Sequence, residues 1–378
     1  MIFGEIYFFT ILIYIIYLYS LWFSKKEDNY QNYDKPFSVI IPCYNETPKY
    51  LFSCISSVMK AKGDKQIILV DNNSNKEETL DTIDCLRLKY PNLITLREKR
   101  QGKRYAHSKG LRFAKHEIIV FIDSDTMIKE DTFIELIKPF QNEKVGGVCG
   151  NLKLANRDEN IFTKMLSAMF WTGFNLHRKA TTSAGYMAVM SGALSSYRKK
   201  YLLALEDEYT NQTFMGKPCS ISDDRFLTMR IQTRFGKSIN FAEKSIGYTY
   251  MPKSPIKFWR TLERWRRGAL RETILSWKEK KGLMFFDINF NAFILTIVSI
   301  NKIFFLWFFL TNMSLILLGN YLVWFVVMVS LYSSILIIYN PKEYPYKLLY
   351  SLFYEFFFVF TFFSAIWNIR NQSAWATR

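Results

Sequence analysis

The sequence predicts an α/β domain with a mostly parallel sheet, set between apolar blocks at the two ends of the chain. Three observations lead there. Between about Pro36 and Ala242, short apolar runs alternate with stretches of helical length, the pattern of a parallel sheet covered on both faces. Within that region Ile118–Ile122 is a continuous apolar, mostly β-branched run, as a strand buried on both sides requires, and Asp123, Ser124 and Asp125 follow it at once. Elsewhere the apolar residues gather at the ends, with basic residues beside them.

Composition fits that division. The chain has 378 residues, of which 49% are hydrophobic and 17% aromatic, with 34 Phe and 23 Tyr. A formal net charge of +17 would suit nucleic acid. The placement of basic residues next to apolar blocks instead predicts a membrane protein with a positive cytoplasmic face and no nucleic-acid partner. Cys43, Cys54, Cys85, Cys149 and Cys219 are scattered without metal-site spacing, which fits a reducing compartment and no disulfide framework.

Taken in order, Ile2–Phe23 is almost wholly apolar and long enough to cross a bilayer once. Lys25 and Lys26 follow it, so Met1–Ser24 is expected to be an anchor with its N-terminus outside and the chain beyond it in the cytosol. Phe37–Pro42 is a predicted strand, Pro48–Lys60 a helix, Gln66–Asp71 a second strand and Lys76–Leu88 a second helix. Leu93–Arg97 is a short strand, and the helix Lys103–Lys115 leads into the central strand at 118–122. A mononucleotide-binding fold is the natural candidate.

Ligands of open α/β sheets bind beyond the carboxyl ends of the strands. Three such ends carry polar turns: Pro42-Cys43-Tyr44-Asn45-Glu46, Asp71-Asn72-Asn73-Ser74 and Asp123-Ser124-Asp125. Each alone is also what a simple turn looks like. Together they offer Tyr44 to stack on a base, Asp71 to accept from a base or ribose, and Asp125 to hold a hard cation and through it a diphosphate. Gln101-Gly102-Lys103-Arg104 opens a helix, where backbone donors and two cations suit a phosphate or form a solvated helix face.

These motifs resemble the nucleotide-sugar half of a processive family 2 glycosyltransferase of the GT-A type. The likeness continues. Ser191-Gly192-Ala193-Leu194-Ser195-Ser196-Tyr197-Arg198 is similar to the S-G-P-L-x-x-Y-R acceptor segment of hyaluronan synthases. Asn211-Gln212-Thr213-Phe214-Met215-Gly216-Lys217-Pro218 and Ser222-Asp223-Asp224-Arg225 look like their N-Q-T-F-x-G-x-P and G-D-D-R. Trp375-Ala376-Thr377-Arg378 resembles their terminal W-G-T-R. The resemblance runs from about Pro36 to Arg378, and chitin-oligosaccharide synthases come next in likeness.

The resemblance implies an inverting, metal-dependent enzyme. Asp224, with Asp223, would be the catalytic carboxylate that deprotonates the acceptor hydroxyl, because a sugar hydroxyl is a poor nucleophile without a base. Without that resemblance the pair reads as helix capping. Tyr44, Glu46, Asp71, Lys103, Arg104, Asp123 and Arg264 would bind the nucleotide sugar. Ser191, Gly192, Arg225 and Trp265 would meet the acceptor, and Asp125 with Asp123 would hold Mn²⁺ or Mg²⁺. Ala193, Ser222 and Thr261 depart from the family's Pro, Gly and Gln.

Lys253–Lys281 carries ten Lys or Arg against three Glu, with Phe258, Leu262, Trp265, Ala269, Leu270, Ile274 and Trp277 at helical spacing. That pattern predicts a basic amphipathic helix at the membrane surface. Arg264-Trp265 within it resembles the R-W of the Q-x-x-R-W signature. Leu283–Trp367 is largely apolar, with candidate spans near Asn291–Leu317, Tyr321–Ile338 and Leu348–Ile366. A C-terminus inside the cell then requires Phe285–Leu318 to cross twice or one segment to be re-entrant.

The expected organisation is thus an anchor over 1–24, a cytosolic GT-A domain over 36–250, an interface helix over 253–282, a transmembrane region over 285–368 and a cytosolic tail over 369–378. The expected activity is polymerisation of UDP-sugars into a hyaluronan-like extracellular polysaccharide at a bacterial plasma membrane. The substrates would be UDP-N-acetylglucosamine and UDP-glucuronic acid, the latter's carboxylate met by arginines near Arg198 and Arg264. The alternative is a chitin-oligosaccharide or poly-N-acetylglucosamine synthase using UDP-N-acetylglucosamine only, which the single N-terminal anchor favours. Transfer of one sugar to a polyprenyl phosphate is a further rival, and a catalytically dead channel or scaffold is a rival from another class. Intact Asp71, Asp125 and Asp224 speak against the latter.

Overall fold

The computed structural model of the chain describes residues 2–24, 30–279, 282–312 and 315–372. Lys25, Lys26 and the segment Trp375–Arg378, on which parts of the topology and resemblance rest, lie outside the described residues.

Among the described residues ten strands form: β1 Phe37–Cys43, β2 Lys65–Asp71, β3 Leu93–Arg97, β4 Ile118–Ile122, β5 Met127–Ile128, β6 Val145–Leu154, β7 Leu194–Arg198, β8 Thr213–Phe214, β9 Lys217–Pro218 and β10 Ser238–Thr249. Eight join one sheet in the order β3-β2-β1-β4-β7-β6-β10-β5, and β8 and β9 make a separate hairpin. β3, β2, β1 and β4 run parallel, as do β6 and β10, whereas β7 runs antiparallel between β4 and β6. The apolar runs read from the sequence are fully buried: Val39, Ile40, Ile41, Ile68, Leu69, Val70, Ile119, Val120 and Ile122 all sit in one core. Strands covered by helices on both faces have no polar face to display, so they lack alternation.

Parallel pairing in register puts the three polar turns side by side. Cys43 lies opposite Asp71 and Asp71 opposite Arg97, while β4 pairs with β1 and ends at Ile122, just before Asp123. β7 corrects the reading of Ser191–Arg198 as a continuous acceptor segment. Only Ser191-Gly192-Ala193 lies at the site end, because Leu194–Arg198 is a buried strand whose Arg198 pairs with Ile118 at the far end of β4.

The helix Pro255–Leu275 also differs from expectation. Phe258 and Leu262 do not face a membrane but pack with Phe162, Met165, Leu166, Tyr350 and Phe358. Arg266, Arg267 and Arg271 are buried with them, bonded to carbonyls and side chains of the C-terminal segment. Ile256, Ile274 and Trp277 remain exposed. A helix between two protein layers can bury arginines when their guanidiniums find oxygens, which helical spacing alone does not reveal.

The N-terminal helix Ile2–Ser24 buries Tyr14, Ile15 and Leu18 and exposes Phe9, Ile13, Ile16 and Phe23. Its Trp22 indole donates to the Asn175 carbonyl (2.9 Å), and Tyr17 and Tyr186 share a hydroxyl bond (2.8 Å). The C-terminal region forms the helices Gly282–Asn312, Leu315–Tyr332, Ser334–Tyr339, Tyr344–Phe356 and Thr361–Trp367. Among the described residues no single helix is long and apolar enough to cross a membrane. The pair Pro341–Tyr354 and Phe358–Trp367, bent by 54°, meets the length and composition of a broken or re-entrant span.

Candidate active site

The turn after β2 is the hub of the strand ends. Asn72 is fully buried; its amide donates to the Cys43 carbonyl (2.7 Å), and its side chain donates to the Arg100 carbonyl (2.7 Å) and accepts from the Gly102 amide (2.7 Å). One residue therefore fixes the loop that presents Lys103 against the ends of β1 and β2. Asn45, in a left-handed conformation (φ 48°), accepts from the Asn75 and Lys76 amides and donates to Ser74 and Asn75. Neither asparagine was singled out in the sequence, where N-N and N-E read only as turn residues.

Asp71 is buried and accepts from the Ser74 amide (3.0 Å), with Arg97 Nε 3.5 Å from its other oxygen. Tyr44 is half-buried just past β1. Glu46 is tied to the third strand end, its Oε2 accepting from Ser124 Oγ (2.8 Å). Asp125 is buried, while the more accessible Asp123 forms an ion pair with Lys103.

Lys103 joins this edge to the second acidic pair. Burial disfavours its charge, but Asp123, Asp223 and Asp224 more than offset that and hold the ammonium above its ordinary range. Asp223 and Asp224 open the helix Asp223–Phe235, after Ser222 in a left-handed conformation (φ 56°). Acids suit that helix end, and the family's glycine at the Ser222 position suits that backbone. Asp224 Oδ1 accepts from the Arg225 amide (2.8 Å) and Oδ2 from the Gly192 amide (3.3 Å). Burial pushes the Asp224 carboxyl up, against the pull of Lys103.

Gly192 faces this carboxylate closely: a Cβ there would stand 3.4 Å from Lys103 Nζ and 3.5 Å from Asp224 Cβ. Ser191 lies beside it, its amide donating to Cys149 Sγ (3.4 Å). Arg225 is half-buried, and burial lowers its pKa.

Arg104 takes a different place from the diphosphate contact implied for it. It is 2% exposed, and its guanidinium donates to Asp223 (2.5 Å), Gln212 (2.8 Å) and the carbonyls of Tyr209 (3.0 Å) and Ile221 (3.1 Å). Those bonds leave it no free face for a phosphate. Arg198 is likewise committed, to the carbonyls of Val145 (2.9 Å), Phe140 (2.8 Å) and Asn142 (3.1 Å). It cannot meet a sugar carboxylate beyond the other end of β4.

Arg264 and Trp265 lie one turn before Gly268 on the helix Pro255–Leu275, half-buried and 37% exposed respectively. Gly268 is pressed against the catalytic-side turn: a Cβ on it would fall 1.6 Å from Ser222 Oγ. Residues three and four apart are neighbours on a helix surface, so Arg264 and Trp265 flank Gly268, and the Trp265 ring stands edge-on to Phe258. Thr261, at the family's Gln position, is buried and bonds back to the Lys257 carbonyl (3.2 Å).

Asp123 and Asp125 present the carboxylates for a cation. Among the described residues no group of three or more His, Cys, Asp or Glu could hold one. Two carboxylates plus phosphate oxygens are how Mg²⁺-like ions are commonly bound, so this donor set fits a cation arriving with a nucleotide.

Residues 38–205 match the model of the family described as glycosyl transferase family 2. Among curated proteins it is similar to an N-acetylglucosaminyltransferase of Mesorhizobium japonicum, 30% identical over 65% of this chain and 58% of the relative. It is also similar to one of Neorhizobium galegae, 30% identical over 63% and 55%. A hyaluronan synthase of Streptococcus pyogenes is 28% identical over 72% of this chain and 66% of the relative. The chain thus spans somewhat over half the length of the first two relatives. In fold it is similar to a mannosyltransferase from Pyrobaculum calidifontis solved with GDP-Man and Mn2+, with a TM-score of 0.63 and 18% identity over 94% of this chain and 97% of that one. That likeness establishes a GT-A-like fold with a mostly parallel sheet.

Proposed function

We propose that the chain transfers N-acetylglucosamine from UDP-N-acetylglucosamine to a hydroxyl of a growing glycan, with inversion at the anomeric carbon, and that it works at a membrane. The observation that carries this reading is Asp224. Its carboxylate accepts from the Gly192 amide beside Lys103, whose ammonium pairs with Asp123 just past the end of β4, and burial raises its pKa.

The reaction balances simply. Asp224 takes the proton of the acceptor hydroxyl as its oxygen bonds the anomeric carbon from the face opposite UDP. The bond from that carbon to the diphosphate oxygen breaks, and UDP leaves with both electrons. Inversion needs only this one base. Tyr44 and Asp71 hold uridine, while Lys103 and Arg264 face the diphosphate. Arg225 and Trp265 orient the acceptor, Trp265 by stacking on a sugar ring. Asp125 and Asp123 would hold Mn²⁺ or Mg²⁺, which would supply charge stabilisation to the departing diphosphate. Arg104 acts through Asp223 rather than on substrate.

The choice of N-acetylglucosamine follows the relatives named N-acetylglucosaminyltransferases. A second reading, hyaluronan synthesis with UDP-glucuronic acid as co-substrate, is favoured by Asn211–Pro218 and Ser222–Arg225 and by the larger share of the chain that matches the synthase. The commitment of Arg198 to backbone carbonyls weakens it, leaving Arg264 as the arginine offered for a carboxylate. The apolar ends and the bent pair at 341–367 support a membrane location. Release of UDP and incorporation of labelled sugar by the purified chain in detergent, absent in Asp224→Asn, tests the proposal; no release by the wild type contradicts it.

A further inference from the structure

The carbonyl of Ile221 accepts hydrogen bonds from two buried guanidiniums. Arg104 reaches it from the helix that also presents Lys103 (3.1 Å), and Arg271 from the helix Pro255–Leu275 (2.8 Å). Their exposures are 2% and 0%, so neither charge is there to meet solvent. Each carries its own acid: Arg104 bonds Asp223 at 2.5 Å and Arg271 bonds Glu272 at 2.9 Å. Gln212 closes a ring between them, accepting from Arg104 (2.8 Å) and donating to Glu272 (2.9 Å).

The ring extends to the C-terminal segment. Arg271 donates to Gln372 Oε1 (2.7 Å), and the Gln372 carbonyl accepts from the Ser220 amide (2.9 Å). Gln372 is fully buried, and Arg267 holds the neighbouring Asn371 carbonyl (2.5 Å). Ser220, Ile221 and Asp223 each bond Gln372 or one of the two guanidiniums, which Gln212 and Glu272 brace. Ser222, inside that span, keeps its left-handed φ of 56°, and Asp224 follows. Burying two guanidiniums is costly unless their donors are met; here both share the Ile221 carbonyl, and Asp223, Gln212, the Tyr209 carbonyl, Glu272 and Gln372 meet the rest.

We infer that Arg104, Arg271 and Gln372 are positioning residues that clamp the Ile221-Ser222 turn and so aim the Asp224 carboxylate, making the seating of the C-terminal segment a condition of turnover. This rests on the reading of Asp224 as the base. A clamp of this kind acts on the aim of the base and not on the nucleotide, which binds at the strand ends. Arg104 shares its helix turn with Lys103, so the nucleotide side and the base are set by one element.

The test compares Gln372→Ala, Gln372→Glu and Arg271→Gln in the full chain in detergent, with UDP-N-acetylglucosamine as donor and UDP as binding probe. Gln372→Ala and Arg271→Gln are expected to lower kcat by about ten-fold or more while donor KM and UDP Kd stay within about two-fold. Gln372→Glu keeps an oxygen for Arg271 and is expected to recover most of kcat, which a loss of general stability would not do. If Arg271→Gln does not fold, the Gln372 pair decides alone. An active wild type, an inactive Asp224→Asn and an unaffected Gln372→Ala overturn the inference by itself, as does a change confined to KM. Equal turnover by wild type and Asp224→Asn overturns the base assignment and the clamp with it.

Discussion

The amide of Gly192 donates to Asp224 Oδ2 at 3.3 Å, tying the end of the Ser191-Gly192-Ala193 segment to the first turn of the helix Asp223–Phe235. Burial raises the Asp224 pKa, and a base must be ionised to act. Turnover is therefore expected to fall on the acid side with an apparent pKa above the usual aspartate range of about 4. Asp224→Asn is expected to abolish transfer while UDP binding stays nearly intact. A carboxyl whose folded pKa is raised loses stability as pH rises through that pKa. The Asn variant should accordingly melt no lower than the wild type at pH 7, separating lost chemistry from lost fold. Near-normal turnover in Asp224→Asn contradicts the assignment.

Asp125→Ala is expected to remove the Mn²⁺- or Mg²⁺-dependent part of UDP binding, because the diphosphate then lacks its counter-cation. Calorimetry with and without EDTA measures it directly. UDP binding and activity that ignore the chelator contradict the metal proposal.

Ser222 and Gly268 predict a coupled pair. A Cβ on Gly268 would lie 1.6 Å from Ser222 Oγ and 2.4 Å from its Cβ, but 3.7 Å from its Cα. Gly268→Ala should cost about 1–3 kcal/mol by overpacking. Ser222→Gly relieves a left-handed φ and should gain about 1 kcal/mol. In the Ser222→Gly background the alanine meets only ordinary contacts, so most of its cost should vanish. Thermal melts of the two single variants and the double variant give the coupling, and simple additivity would contradict this packing.

Asn72→Ala strips the Gly102 amide and the Arg100 carbonyl of their buried partner. The expected cost is about 2 kcal/mol or more, together with weaker UDP binding, since Lys103 follows the freed loop. Unchanged donor KM in a folded Asn72→Ala chain would show that the hub does not set the nucleotide site.

The parallel half of the fold was legible because its strands are covered on both faces. Ile118–Ile122 reads as an unbroken apolar run and Phe37–Pro42 and Gln66–Asp71 as mostly apolar ones, and polar turns mark their ends. β6, β7 and β10 were not legible: Val145–Leu154 carries glycines, and Leu194–Arg198 is half polar yet buried between two strands. Lys103 and Asp224 were legible only through the ordered motifs around them, because alone they read as a solvated helix face and a helix cap. The sequence misjudged Arg104 and Arg198, because a guanidinium holding carbonyls and one facing a phosphate look alike in one dimension. Arg271 and Gln372 gave no local signal. Their partners lie 50 and 101 residues from Arg271, a relation that only the folded chain contains.

The donor set tests the central claim most directly. The purified chain in detergent is given UDP-N-acetylglucosamine alone, UDP-glucuronic acid alone, or both, and the product is digested with chitinase, a poly-N-acetylglucosamine hydrolase or hyaluronidase. Labelled product is expected from UDP-N-acetylglucosamine alone, open to one of the first two enzymes. Polymer formed only with both donors and cut by hyaluronidase would establish the two-donor reading instead. No incorporation of N-acetylglucosamine under any of the three conditions would contradict the account.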